Sequence, residues 1–191
     1  MDRIQEAKNV GYYAHAKQTD KAGGSYMYHP HRVLENLETH PAFAKLSKQK
    51  QEDARVAALL HDVIEDSPKH GYRKYKADTL LKLQFTERSI EIVQLLTRSK
   101  AIPDEQYYSA INADPLAKLV KWADIADNLN EERVSKLSET DRNRLAKKYE
   151  KALELIPMTP STKKWFEERK KVEIPYRHWE KSRWVYEWAE N

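Results

Sequence analysis

Four ionisable side chains interrupt one of the most apolar stretches of this chain, Ala57-Ala58-Leu59-Leu60-His61-Asp62-Val63-Ile64-Glu65-Asp66. An unpaired buried carboxylate costs several kcal/mol, so such groups are paired, neutralised or bound to a cation. On a continuous helix His61 and Asp62 point about 100° apart and both reach an ion lying beside it, with Glu65 one turn after His61 and Asp66 one turn after Asp62. A second apolar stretch, Leu119-Val120-Lys121-Trp122-Ala123-Asp124-Ile125, repeats the pattern and is followed by Asp127 and Asn128. The simplest common solution is a metal between two buried helices, its mixed His/carboxylate shell completed by an imidazole from the His29-Pro30 helix. Such a shell suits manganese, iron or zinc better than calcium. A His-Asp dipeptide alone is more often an ordinary hydrogen-bonded pair; the reading rests on the three segments together.

Helices must position these groups. The 191 residues include only four glycines, a third are charged, and Leu, Ala, Lys and Glu abound, which predicts an all-α chain. A first helix is expected over 4–16, then a loop over 18–28 around Gly23 and Gly24, then a helix opened by Pro30 with His29 at its entrance. A central helix is expected over 51–66, ended by Ser67-Pro68. Shorter helices follow at 76–83 and 87–97, the second capped by Thr86, and another at 106–112. Asp114-Pro115 reads as a cap and first position of a second buried helix, and an amphipathic helix is expected over 141–156. Pro157 and Pro160 mark a boundary. Residues 158–191, with Trp165, Trp179, Trp184 and Trp188, read as a helical extension packed on the 1–157 domain or on a second subunit, making a homo-oligomer through that extension one expectation.

Composition excludes several classes. There is no cysteine, so disulfides and thiolate metal sites are ruled out. The start lacks the apolar stretch of a signal peptide and no run is long enough to span a bilayer, so a soluble, cytoplasmic protein without a membrane partner is expected. Thirty-four basic residues nearly balance 30 acidic ones, a net charge of +4, and bulk charge does not nominate nucleic acid; an anionic small molecule fits better.

In chain order, the segments Ala14-His15-Ala16 with Gln18, Lys21-Ala22-Gly23, Tyr26-Met27-Tyr28-His29-Pro30, Ala58 to Asp66, and Leu119 to Asp124 with Asn128 are similar to those of the HD-domain hydrolases of the RelA/SpoT and small alarmone hydrolase type. The resemblance covers roughly residues 8–130. It implies an HD-domain helical bundle with His29, His61, Asp62 and Asp124 as ligands of one divalent metal, Mn2+ in this family. It further implies Glu65 and Asp66 as the pair that positions and activates the attacking water, and Asn128 as a nucleotide contact. Lys21 on the glycine loop is a candidate phosphate contact, with a solvated loop lysine as the alternative. The implied activity is removal of the 3′-pyrophosphate from a nucleotide such as guanosine tetraphosphate or its adenine counterpart.

The chain departs from the family at Asp20, where members that recognise guanine carry an arginine. Losing a planar cation removes cation-π stacking of about 0.5–2 kcal/mol and is expected to put an anion near an anionic substrate. The alternative reading is therefore a phosphatase acting on another nucleotide or on the 2′-phosphate of a nicotinamide dinucleotide. A third is a non-catalytic nucleotide-binding protein. The segment Ile125-Ala126-Asp127 also departs, standing where the family has a basic and then an aromatic or histidine residue.

Overall fold

Apolar residues recur at helical spacing along most of the chain, and in the computed structural model, which describes residues 2–21 and 23–174, they build an all-helical bundle. In order the helices are α1 (Arg3–His15), α2 (Tyr28–Glu38), α3 (Lys48–Leu60), α4 (Val63–His70), α5 (Ala77–Lys82), α6 (Glu87–Leu96), α7 (Asp104–Ala113), α8 (Pro115–Asn128), α9 (Glu131–Ser135), α10 (Glu139–Leu155) and α11 (Pro160–Lys170), with a short 3-10 turn at Phe43–Lys45. Among the described residues the sole β feature is an isolated bridge between Thr19 and Ser25. No helix among them is long and apolar enough to cross a membrane.

Local signals set many boundaries. Asp114 caps α8, its Oδ1 accepting the N–H groups of Leu116 and Ala117 at 3.0 and 2.9 Å, and Pro115 occupies the first helical position, where its missing N–H leaves no bond unmade. Thr86 caps α6 through the Ser89 N–H in the same way. Helix α8 is buried from Leu116 to Asp127 except at Lys118, with α2, α3, α6, α7 and α11 packed around it. Each fully buried Val, Leu or Ile contributes about 1.5–3 kcal/mol, so the apolar residues of α3 and α8 anchor the bundle and fix the charged groups among them.

Two sequence expectations are corrected. The central helix expected over 51–66 is not continuous: α3 ends at Leu60, Asp62 takes φ −101° and ψ −3°, and α4 begins afresh at Val63. His61 and Asp62 thus sit at a joint between helices, not on one cylinder. Pro68 lies inside α4, which runs only two residues beyond it to His70, so the lost backbone bond is a single one near the helix end. Helix α2 also begins earlier than expected, placing Pro30 third in the helix and His29 second.

Helix α11 packs against α8, with Trp165 and Phe166 buried and the Trp165 indole N–H donating to Thr39 Oγ1 at 3.0 Å. Of the expected extension, residues 175–191 with Trp179, Trp184 and Trp188 lie outside the described residues.

Candidate functional site

Three elements bring the expected donors to one point. Helix α2 supplies His29, the α3–α4 joint His61 and Asp62, and α8 Asp124. His29, His61 and Asp124 are buried and each offers a ligand atom within 4.8 Å of the others. Asp62 Oδ2 lies 3.0 Å from His61 Nε2 and 3.7 Å from His29 Nε2. Both adjacent residues face that point from the joint between α3 and α4.

The hydrogen bonds fix which imidazole atoms face inward. His29 Nδ1 lies 2.7 Å from Asp127 Oδ2, and Asp127 is held ionised: burial alone would raise its carboxyl, but Arg32, His29 and Arg133 bring it well below the usual range. An ionised carboxylate only accepts, so Nδ1 carries the proton. His61 Nδ1 likewise donates to the Ala58 carbonyl at 2.8 Å. The Nε2 atoms of the two rings are then 3.3 Å apart, and His29 Nε2 is 3.2 Å from Asp124 Oδ1. Lone pairs converging this closely need a positive charge among them. Without a metal, a proton serves: burial lowers the affinity of His61 for it, yet Asp62 and Asp124 outweigh burial and push its pKa up to about 9. Asp62 and Asp124 are displaced downward, burial opposing and His61 and Lys121 respectively leading the stabilisation of their ionised forms. Two imidazole nitrogens and carboxylate oxygens, dry and demanding a cation, fit a divalent metal.

Of the cluster, Asp62 and Asp124 line a cavity of about 630 Å³, together with Glu65 and Asp66. Burial raises the Glu65 carboxyl, opposed by the Arg98 N–H that donates to Glu65 Oε2 at 3.1 Å. Asp66 Oδ2 accepts from Gln18 Nε2 at 2.8 Å. Lys21 and Asn128 reach the same cavity. Lys21 Nζ is half exposed and 3.4 Å from Asp141 Oδ1, a contact worth little at that exposure. Asn128 Nδ2 donates to Asp124 Oδ1 at 2.6 Å, so its amide orients a donor of the cluster.

Asp20 is corrected. It borders the cavity, but its carboxylate is turned inward, accepting the Gly24 N–H at 2.9 Å and standing 3.8 Å from Arg133 Nε, so the anion is tied to the protein and not presented to a ligand.

Several groups had no role assigned from sequence. Lys121 is buried and donates to Asp124 Oδ2 at 2.9 Å, leaving Oδ1 to face the cluster. Its spacing three residues before Asp124 was a readable signal. The Tyr26 hydroxyl donates to Asp62 Oδ2. His15 Nδ1 lies 2.8 Å from Gln18 Oε1 and burial keeps the ring neutral, so His15 donates to Gln18, which donates to Asp66. Tyr107, Tyr108 and Tyr149 with Lys147 and Lys148 line the cavity, and nothing in their local sequence set them apart from an amphipathic stripe.

Among known proteins, no curated protein matches the chain significantly. A solved structure from work describing a metazoan ortholog of SpoT that hydrolyzes ppGpp and plays a role in starvation responses matches 88% of this chain and 94% of its own, with a TM-score of 0.67. At 22% sequence identity that likeness is one of fold. The HD domain family matches residues 26–129, a stretch that contains His29, the His61-Asp62 joint and Asp124. More than half of the chain falls within that match, and the chain belongs to the HD-domain family.

Proposed function

We propose that the chain is a metal-dependent phosphohydrolase that removes the 3′-pyrophosphate of a guanosine or adenosine alarmone-like nucleotide, with His29, His61, Asp62 and Asp124 holding one divalent metal, Mn2+ being the favoured ion. The observation that carries this reading is the convergence of His29, His61 and Asp124, the last of which lines a cavity together with Asp62, Glu65 and Asp66. A divalent cation supplies Lewis acidity there, making water a better nucleophile near neutral pH and drawing charge from a phosphate oxygen. The protein does the rest. Glu65, its carboxyl raised by burial, takes the proton of the attacking water, and Asp66, oriented by Gln18, fixes the water's direction. The bond between phosphorus and ribose O3′ breaks, pyrophosphate leaves with the new oxygen, and O3′ gains a proton. Lys21 and Asn128 line the same cavity and are the candidate contacts to the nucleotide.

The test is a panel of nucleotides incubated with Mn2+-loaded protein, reading substrate loss and product together. Pyrophosphate release from an alarmone supports the reading; its absence across guanosine and adenosine alarmones sinks it. Glu65→Gln is expected to lower kcat by about 10²–10⁴-fold while Mn2+ content stays unchanged. The absence of an arginine at position 20 favours one alternative: a phosphatase on another nucleotide or on a nicotinamide dinucleotide 2′-phosphate, which the same panel reveals as inorganic phosphate. A protein that only binds nucleotides would keep its cellular function in Asp62→Ala and Glu65→Ala variants.

A further inference from the structure

Behind the metal-ligand cluster lies a second group of buried charges. Asp127 Oδ1 accepts Arg32 Nε at 2.6 Å, and Oδ2 accepts Arg32 Nη2 at 3.1 Å, Arg133 Nη1 at 3.1 Å and His29 Nδ1 at 2.7 Å. Arg133 Nε in turn lies 3.8 Å from Asp20. Two guanidinium groups and two carboxylates leave this group neutral overall. Asp127 and Arg32 are buried, and beyond them Arg169 Nε donates to Asn36 Oδ1 at 2.8 Å.

We propose that Asp127 is a positioning residue for metal binding: held rigid by Arg32 and Arg133, it keeps the His29 proton on Nδ1 and so aims the Nε2 lone pair at the metal. This inference rests on the reading of His29 as a ligand. A histidine binds a metal only through an unprotonated nitrogen, and its tautomer is set by the partner of the other nitrogen. Four donors converge on Asp127 from three directions, so the carboxylate cannot rotate away from His29 without abandoning a guanidinium in a dry interior. When asparagine replaces Asp127, an NH2 group takes the place of one carboxylate oxygen. That group meets His29 itself if the amide turns, which reverses the tautomer, or meets Arg32 Nε if the carbonyl stays toward His29, which keeps the ring's bond but removes the anchor that holds it in place. An Asp127→Asn substitution therefore reaches the site through His29, while Asp127 itself supplies no ligand atom.

The experiment uses the full chain, metal-free, with ¹⁵N-labelled histidine. The His29 signals are assigned by their loss in His29→Ala, and Mn2+ alone is titrated by calorimetry. Expected are a single Nδ1–H tautomer of His29 in the wild type, and in Asp127→Asn a mixed or altered tautomer with Mn2+ affinity about 10–100-fold weaker. A wild-type His29 protonated on Nε2 overturns the inference, and that measurement needs no variant to fold. Wild-type Mn2+ affinity in Asp127→Asn, alongside lost affinity in His29→Ala, overturns it too while leaving His29 a ligand. Undiminished affinity in His29→Ala removes the metal reading of His29 and this inference with it.

Discussion

Between Trp122 and Trp165 the His40 ring accepts the Ala42 N–H on Nδ1 at 3.0 Å, while its buried Nε2 has no hydrogen-bond partner among the described residues. Burial lowers its pKa to about 4 from an ordinary value of 6.5. The unfolded chain therefore binds a proton at this position between about pH 6.5 and 4 that the folded chain refuses, and stability falls as pH falls through that window. In a His40→Asn variant the amide oxygen still reaches the Ala42 N–H and nothing titrates. Its urea midpoint should be lower than wild type at about pH 7, because ring packing is lost, and should fall less between about pH 7 and 4.5; an equal fall in both proteins would remove His40 as the cause. At this scale the sequence was informative about donors and poor about their partners. His61, Asp62 and Asp124 stood out because ionisable groups among apolar neighbours demand an explanation, whereas His29 came with the family resemblance. Asp127 showed only as a departure, since its two arginines arrive from positions 95 residues before and six residues after it.

Helix ends marked by side-chain chemistry were legible: Asp114 and Thr86 accept the orphan amide protons that their types and positions announce. The break at His61-Asp62 was not, because Val56 to Ile64 contains no Gly or Pro and its local preferences favour one helix. The demand that both side chains face one point comes from α2 and α8, far away in sequence. The short α9 escaped notice for a related reason, its charged residues hiding a buried arginine. The joint depends on how α4 ends. Gly71 follows α4 where Tyr72 N–H reaches the Tyr13 carbonyl at 2.8 Å and Lys17 N–H reaches the His70 carbonyl at 3.1 Å, stitching α4 to the end of α1. A Cβ at Gly71 would lie 2.5 Å from the Arg73 carbonyl oxygen and 2.9 Å from those of Ala14 and Ser67, all backbone atoms. Gly71→Ala should therefore cost about 1–3 kcal/mol. Thermal unfolding should show a Tm several degrees lower, and an unchanged Tm would mean that this seam yields freely.

In the whole molecule, α2 works with two faces. Its front offers His29; its rear meets α11 and the turn beyond α2, where Trp165 donates to Thr39 and Arg169 Nε donates to Asn36 Oδ1 at 2.8 Å. Asn36 in turn donates to the Ala123 carbonyl at 3.2 Å, beside Asp124 on α8. Trp165→Ala empties a core position and unties this brace, and should cost about 3–5 kcal/mol, read as a lower denaturant midpoint with an unchanged m-value. A loss below about 1 kcal/mol would show that α11 merely rests on the bundle. The order of the chain gives the brace a further consequence. During synthesis every group of the buried His/Asp cluster leaves the ribosome before residue 130, whereas Trp165 follows some forty residues later. A nascent chain can thus have the whole cluster in hand while the helix that seats its scaffold is still inside the exit tunnel, so the candidate site is seated late in the birth of the protein.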